Sequence, residues 1–430
     1  MTPQEISLFA YNIALLPVMF VSILFLLLTI LNIFVDKDEE KRQKRHQKRG
    51  ALESYPHITV QVPSYNDPVA VRCIEACLKF DYPKGKYDIM ILDDSRNGRT
   101  QRLLKAFEKK YPGKVSYVHR DNRHGYKPGA LKEAMPLVKG EIIVIFDSDF
   151  VPSPDFLKRI TVPFQDPNVG IVQSRQGFLN GDVNLISRFA SYLLMTYHTI
   201  VMPINNKMNT VFFCGTAGAI RKSALLKAGG WNIKSITEDS DLSVKILSKG
   251  YKNVYLKFET PSEVPVTFEA FIKQQMRWTY GNVRVFFDHA SRIIWRKGFT
   301  IKQRLMITFI TLSGLIAPAV IVMTIAGFSG WFLGDPQLFQ TAQLMEFFIK
   351  FFYTSGFLIM GFMTFYKRKS LSEFPHLVLA ALSISIILSV ANTVAIYKAL
   401  FRKDEPLFSG NRENWPCTPK SGNAAYAKAS

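Results

Sequence analysis

Two aspartates flank one serine in Asp147-Ser148-Asp149, directly after the apolar run IIVIF. On an extended strand, residues two apart point to the same face, so both carboxylates can share one divalent cation. Mg²⁺ and Mn²⁺ bind through one or two carboxylates plus substrate phosphates, and such a cation neutralises charge on a leaving diphosphate. D-x-D also describes many solvated turns; its place after a buried strand is what favours the metal reading. Asp93-Asp94-Ser95 closes another apolar run, IMIL. Asp and Ser are common turn caps, and Asp93 or Asp94 is equally suited to hydrogen-bond a nucleotide base or ribose.

Further on, Thr237-Glu238-Asp239-Ser240-Asp241 opens the helix-like stretch LSVKILSKG. Some of these residues are ordinary N-caps. A carboxylate at a helix start that faces an acceptor hydroxyl is also placed as a general base. Asp239 is the choice for that role, with Glu238 beside it. Gln274, Arg277 and Trp278 have the spacing i, i+3, i+4 and share one face of an aromatic-rich helical stretch, 267–287. This stretch has the composition of an amphipathic helix on a membrane surface. On it, Arg277 can clamp a diphosphate and Trp278 can stack on a sugar ring.

The elements that must position these groups alternate from 57 to about 150. HITVQVP, YDIMILDD, VSYVH and EIIVIFDSD read as strands; DPVAVRCIEACLKF, RTQRLLKAFEKKY and KPGALKEAMPLV read as helices. Apolar runs separated by helices predict a parallel sheet covered on both faces. Ligands of such sheets bind at the carboxyl ends of strands, which is where Asp67, Asp93, Asp94, Asp147 and Asp149 fall. No G-x-G-x-x-G follows the first strand, so a dinucleotide fold is unsupported.

Apolar residues make up 48% of the 430, and they gather at 8–35 and in three blocks near 305–333, 345–366 and 375–401. Residues 8–35 are too long for a signal-peptide core and predict a retained spanning helix. Residues 1–10 lack Lys and Arg, whereas DKDEEKRQKRHQKRG follows at 36, which places the N-terminus outside and the domain in the cytoplasm of a multi-pass cell-membrane protein. Three further spans would leave the C-terminus outside, against Lys398, Arg402 and Lys403; a re-entrant or split final segment would resolve the conflict. The net charge of +20 sits largely beside these blocks. With no zinc-finger, RNA-binding or basic heptad pattern, a lipid bilayer is the expected partner and nucleic acid is not. Cys73 and Cys77 lack the partners of a zinc site and read, with Cys214 and Cys417, as reduced thiols.

Taken together and in order, these pieces resemble the family 2 glycosyltransferases of the processive type, that of cellulose and hyaluronan synthases. The match rests on the DDS aspartates, DSD, TED and Q-x-x-R-W, supported by VPSYND, RDNRHGYKPGALKEAM, FFCGTAGAIRKSAL and GGWN over roughly 57–300. The wording of GYKPGALKEAM and TEDSDL is similar to the cellulose synthase-like A and C branch (mannan and glucan synthases) and its prokaryotic relatives, as is the NWPCTPKSG tail. The sequence departs from the pattern at Asp67, where Glu is usual, and at Pro128, where Ala is usual.

The resemblance implies an α/β fold of the GT-A (Rossmann-like) kind with transmembrane helices at both ends. It divides the chain into a first span (1–36), the GT-A domain (50–266), interface helices with Q-x-x-R-W (267–303), about three spans (304–403) and a tail (404–430). It implies that Asp67, Asp93, Asp94 and Lys127 hold the nucleotide-sugar donor, that Asp147 and Asp149 meet the Mg²⁺ or Mn²⁺ and diphosphate, and that Arg277 grips the diphosphate. Asp239 would deprotonate the acceptor; Gly215, Thr216, Gln274 and Trp278 would line its path. The expected activity is inverting transfer to a β-linked polysaccharide. A lipid acceptor (polyprenyl phosphate, diacylglycerol or a sphingolipid) is the alternative within enzymes. A non-catalytic scaffold is the reading from another class, and the intact set of carboxylates speaks against it.

Overall fold

The computed structural model describes residues 1–48, 54–295, 298–334, 341–401 and 407. Seven strands form one sheet in the order β3-β2-β1-β4-β6-β5-β7: β1 (Ile58–Ser64), β2 (Tyr87–Asp93), β3 (Val115–His119), β4 (Ile142–Ile145), β5 (Val169–Phe178), β6 (Gly218–Arg221) and β7 (Lys252–Ser262). The four strands foreseen between 57 and 150 are all present, and they pair in parallel.

Side chains alternate across the sheet as the pleat requires. Ile58, Val60, Val62, Ile89, Ile91, Ile142 and Val144 join one core with the helix Ala70–Leu78. Met90, Leu92, Ile143 and Ile145 join the other, beneath the helices Tyr126–Glu133 and Glu238–Ser248. Each of these fully buried aliphatic side chains contributes about 1.5–3 kcal/mol, so both layers are held firmly to the sheet.

Two expectations need correction. The sheet is mixed, because β6 runs antiparallel to both β4 and β5; its four residues, GAIR, are too few to show a period. β4 also ends at Ile145, so Asp147-Ser148-Asp149 lies in a turn beyond the ladder, closed by the Phe150 N–H donating to the Asp147 carbonyl at 3.1 Å. The strand alternation invoked for the two carboxylates does not apply there.

Among the described residues, three helical segments are long and apolar enough to cross a membrane: Pro3–Val35, Ile301–Leu333 and Leu371–Phe401. Phe348–Thr354 and Gly356–Arg368 together make a fourth, bent by 64°. The bend sits against the first helix, where the Gly356 N–H donates to Ser22 Oγ at 2.8 Å. A Cβ on Gly356 would come within 2.1 Å of the Ser22 carbonyl oxygen. All four blocks were foreseen near these positions; the split falls in the third, not in the final one. The tail 408–430, with Cys417, lies outside the described residues.

Candidate active site

The carboxyl ends of β2, β1 and β4 lie side by side in the sheet, and the sequence-predicted residues approach them from several elements. Lys127, in the first turn of Tyr126–Glu133, donates from Nζ to Asp147 Oδ1 at 2.6 Å and to the Gly215 carbonyl at 3.0 Å, and lies 4.0 Å from Glu238 Oε1. The Asp147 N–H donates to Thr216 Oγ1 at 2.9 Å. Gly215 has φ +78°, and a Cβ there would stand 3.0 Å from Asp239 Oδ2. Only glycine gives both that backbone and that clearance. Lys127, Asp147, Gly215, Thr216, Glu238 and Asp239 thus surround a single space.

Burial dominates the electrostatics. It pushes the Glu238 carboxyl up, helped by the neighbouring Asp239 charge, to about 7. Burial likewise raises Asp239, opposed by the Ser240 N–H donating to its Oδ1 at 2.7 Å and by the charges of Lys127 and Arg277. The charge of Arg277, on the helix Phe268–Ile294, thus favours the ionised form of both carboxyls. For Lys127 burial works the other way, yet Asp147 and Glu238 hold its ammonium above the usual range. Two adjacent buried carboxyls with raised affinity for protons are the environment in which one acts as a base near neutrality.

The remaining predicted residues divide. Asp149 is buried and faces another way, its Oδ2 accepting from the Glu263 N–H at 3.1 Å. Asp67 accepts from the Val69 N–H at 3.1 Å and from the Ser148 hydroxyl, tying the first strand end to the D-x-D turn. Asp93 accepts from Tyr117 Oη at 2.7 Å, and Asp94 gives both oxygens to Arg120, at 2.8 and 2.5 Å. Gln274 and Trp278 are half-buried on the face that carries Arg277. Among the described residues no group of three or more His, Cys, Asp or Glu is arranged to hold a metal. Asp147, an oxygen ligand open to that shared space, suits Mg²⁺ or Mn²⁺ in the mode that draws its other ligands from donor phosphates.

Sequence reading missed the joint between the catalytic helix and the Q-x-x-R-W helix. A Cβ at Gly281 would lie 2.2 Å from Thr237 Cγ2. Ser240 Oγ meets Asn282 Oδ1 at 3.2 Å, and His289 Nε2 stands 2.8 Å from Asp241 Oδ1. Thr237 holds the N-cap position without a side-chain hydrogen bond to its helix; its side chain packs on Gly281 instead. Gly281→Ala must push Thr237, and with it Glu238 and Asp239, out of place. We expect kcat to fall about 10–100-fold, as for misplacements near 1 Å, with donor KM little changed. Adding Thr237→Ala should restore part of the loss; steady-state kinetics on the single and double variants check this.

Residues 56–281, just over half the chain, match the family model described as Glycosyltransferase like family 2. Glucomannan 4-beta-mannosyltransferase 7 of Arabidopsis thaliana is 36% identical over 264 residues, 57% of this chain and 47% of that one. Glucomannan 4-beta-mannosyltransferase 1 of Oryza sativa subsp. japonica is 34% identical over 267 residues, 60% and 51% of the two chains. The chain spans about half the length of the curated relatives it matches. Among solved structures, the mannosyltransferase PcManGT from Pyrobaculum calidifontis superposes with a TM-score of 0.57 at 20% identity, over 85% of this chain and 98% of that one. That likeness shows the fold, the GT-A arrangement with its mixed sheet. By the extent of the family match, with the aspartates, TED and Q-x-x-R-W in order, the chain belongs to glycosyltransferase-like family 2.

Proposed function

We propose that the protein transfers a mannosyl unit from a nucleotide-sugar to the 4-hydroxyl of a growing β-linked polysaccharide, with inversion at the anomeric carbon. The observation that carries this reading is the convergence of Lys127, Asp147, Glu238 and Asp239, with the charge of Arg277 acting on the two carboxyls. Asp239 takes the proton as the acceptor oxygen bonds to the anomeric carbon, and the bond from that carbon to the diphosphate oxygen breaks. Lys127 and Arg277 stabilise the charge that develops on the departing diphosphate. Asp147 would hold a divalent cation, which would supply further charge neutralisation; Asp149, turned toward Glu263, would not reach it without moving. Asp67 and Asp93 form the nucleoside wall, and Asp94 braces it through Arg120. Gly215, Thr216, Gln274 and Trp278 line the acceptor side.

Mannose and a polysaccharide acceptor are taken from the relatives' names, which favour that acceptor over a lipid. The Lys and Arg pattern supports a catalytic domain on the cytoplasmic side of the membrane, with 1–36 and 304–403 as membrane regions and 267–303 at the interface.

PcManGT was solved with GDP-Man and Mn²⁺, which makes these the first donor and metal to try. Detergent-purified protein, given radiolabelled GDP-mannose, UDP-glucose or UDP-N-acetylglucosamine with β-mannan oligosaccharides and native lipids, should lengthen the oligosaccharide from GDP-mannose. Label appearing only in solvent-extractable lipid overturns the acceptor, and use of a UDP-sugar alone overturns the donor. EDTA should reduce transfer to background and added Mn²⁺ restore it; full turnover in chelated protein removes the metal from the reaction.

A further inference from the structure

We infer that Gln173 is a positioning residue of the transfer site: its buried side-chain amide closes the loop 213–217 and, through that loop, sets where Lys127, Asp147 and Asp239 stand. This rests on the function proposed above for those three residues.

The loop needs such a closure. Gly215 and Ala217 both have left-handed backbone, φ +78° and +47°, and only the first is a glycine. Ala217 therefore holds a conformation that its Cβ disfavours. Directly after it the chain enters β6, whose Gly218 stands opposite Gln173 of β5. The ladders of β6 with β4 and β5 begin at Gly218, so residues 214–217 lie outside them. The loop is largely buried, and its backbone groups must find other partners.

Gln173 supplies them. It is fully buried, and its side chain folds over Gly218, where an added Cβ would come 3.1 Å from Gln173 Oε1. That oxygen accepts from the Cys214 N–H at 2.8 Å, and Nε2 donates to the Thr216 and Ala217 carbonyls at 3.0 and 3.2 Å. One amide thus joins the start of the turn to its last two residues. Further ties come from Ser174, whose hydroxyl donates to the Ala217 carbonyl at 2.7 Å, and from Ser243, whose Oγ accepts from the Phe213 N–H at 2.8 Å. The amide is the right group for this place, because it ends in an acceptor and a donor side by side. Glutamate of the same shape would set an oxygen against two carbonyls, and methionine would leave all three backbone groups short of a partner.

Beyond the amide, the loop meets the reacting groups. The Gly215 carbonyl accepts from Lys127 Nζ, and Thr216 Oγ1 accepts from the Asp147 N–H. The clearance at Gly215 decides how near Asp239 Oδ2 can stand. The Ser243 hydroxyl donates to the Asp239 carbonyl at 2.7 Å, which registers the loop against the helix that carries the base. Gln173 itself bonds to none of the three. Its partners are the backbone groups of Ser174, Cys214, Thr216 and Ala217, so its influence on the reaction passes through the loop. A shift of the loop moves three reacting groups at once. Asp67, Asp93 and Arg277, which also meet the donor in this reading, belong to other elements and stay in place.

The test compares Gln173→Met and Gln173→Glu with the parent protein in detergent, with turnover expressed per GDP-binding site so that misfolded protein is not counted. For both variants kcat should fall about 10–100-fold, the cost of misplacing reacting groups by about 1 Å, with donor KM little changed. Ala217→Gly takes up φ +47° without strain and should recover part of the loss when added to Gln173→Met. A loss of packing alone would be deepened instead, because the glycine deletes a buried methyl group. The Cys214 thiol, half-buried in the loop, reports the geometry without any turnover. Its labelling by maleimide, located by mass spectrometry, should be several-fold faster in Gln173→Met. Parent-like kcat in Gln173→Met, or a fall in kcat while Cys214 labels as in the parent, overturns the role. Parent protein that transfers no sugar, while Gln173→Met still speeds Cys214 labelling, would overturn the proposed function and this role with it, leaving the loop closure itself intact.

Discussion

Asp239→Asn is expected to lower transfer by about 10²–10⁴-fold, the usual worth of a general base, while nucleotide binding is retained. Binding survives because the groups proposed to hold the donor, Asp67, Asp93, Lys127 and Asp147, are untouched. Isothermal titration with GDP and steady-state rates on the same preparation check both halves; near wild-type turnover would remove Asp239 as the base. The wild-type rate should also rise with pH through about 7, where the raised Glu238 carboxyl loses its proton beside Asp239. Stability should move the other way. A carboxyl whose native pKa lies above its unfolded value binds its proton more tightly when folded. Its contribution is full below the unfolded value and is lost as pH climbs through about 7. Glu238→Gln should therefore flatten both the lower limb of the rate profile and the decline in melting temperature between pH 5 and 8.

Arg120→Leu should be the most destabilising single change in the nucleotide wall. Arg120 and Asp94 are both buried, with side-chain exposures of 6% and 7%, and Arg120 also donates to Glu133, at 2.9 Å, and to the carbonyls of His124 and Tyr126. Removing the cation alone strands a buried carboxylate, at a cost of about 3–5 kcal/mol. For a domain of this size that lowers the melting temperature by roughly 10 °C. The double variant Arg120→Leu/Asp94→Leu should recover much of the loss in thermal unfolding. A double variant no more stable than the single would show that the other Arg120 contacts dominate.

How far the sequence could be read depended on whether a period or a packing decided each feature. IMIL and IIVIF declared their strands, because runs buried on both faces leave few alternatives. The end of β4 was hidden: its length is set by the short antiparallel partner β6, which pairs only from Ile142 to Ile145. Asp147 and Asp149 therefore came to diverge. The partner of Asp94 was recoverable in principle. Once β2 and β3 are taken as parallel neighbours, the register Asp93 with His119 sets Arg120 beside Asp94. The Gly281–Thr237 contact carried no signal, since a glycine inside an aromatic-rich helix says nothing about what approaches it. Hydropathy found four membrane blocks but cannot tell a helix that crosses from one that lies flat with apolar residues all round.

The bond from Asn32 to the Thr199 and Ile200 carbonyls has a mechanical meaning. It seats the first helix on the π-turn Tyr197–Val201, in the stretch between β5 and β6. Lys367 at the end of the bent segment closes on the same asparagine, so two separate apolar helical segments meet the domain at one point. A domain hung from a single flexible tether would tumble above the lipid. One clamped in this way is a fixed turret, its heading relative to both helices set at a single joint.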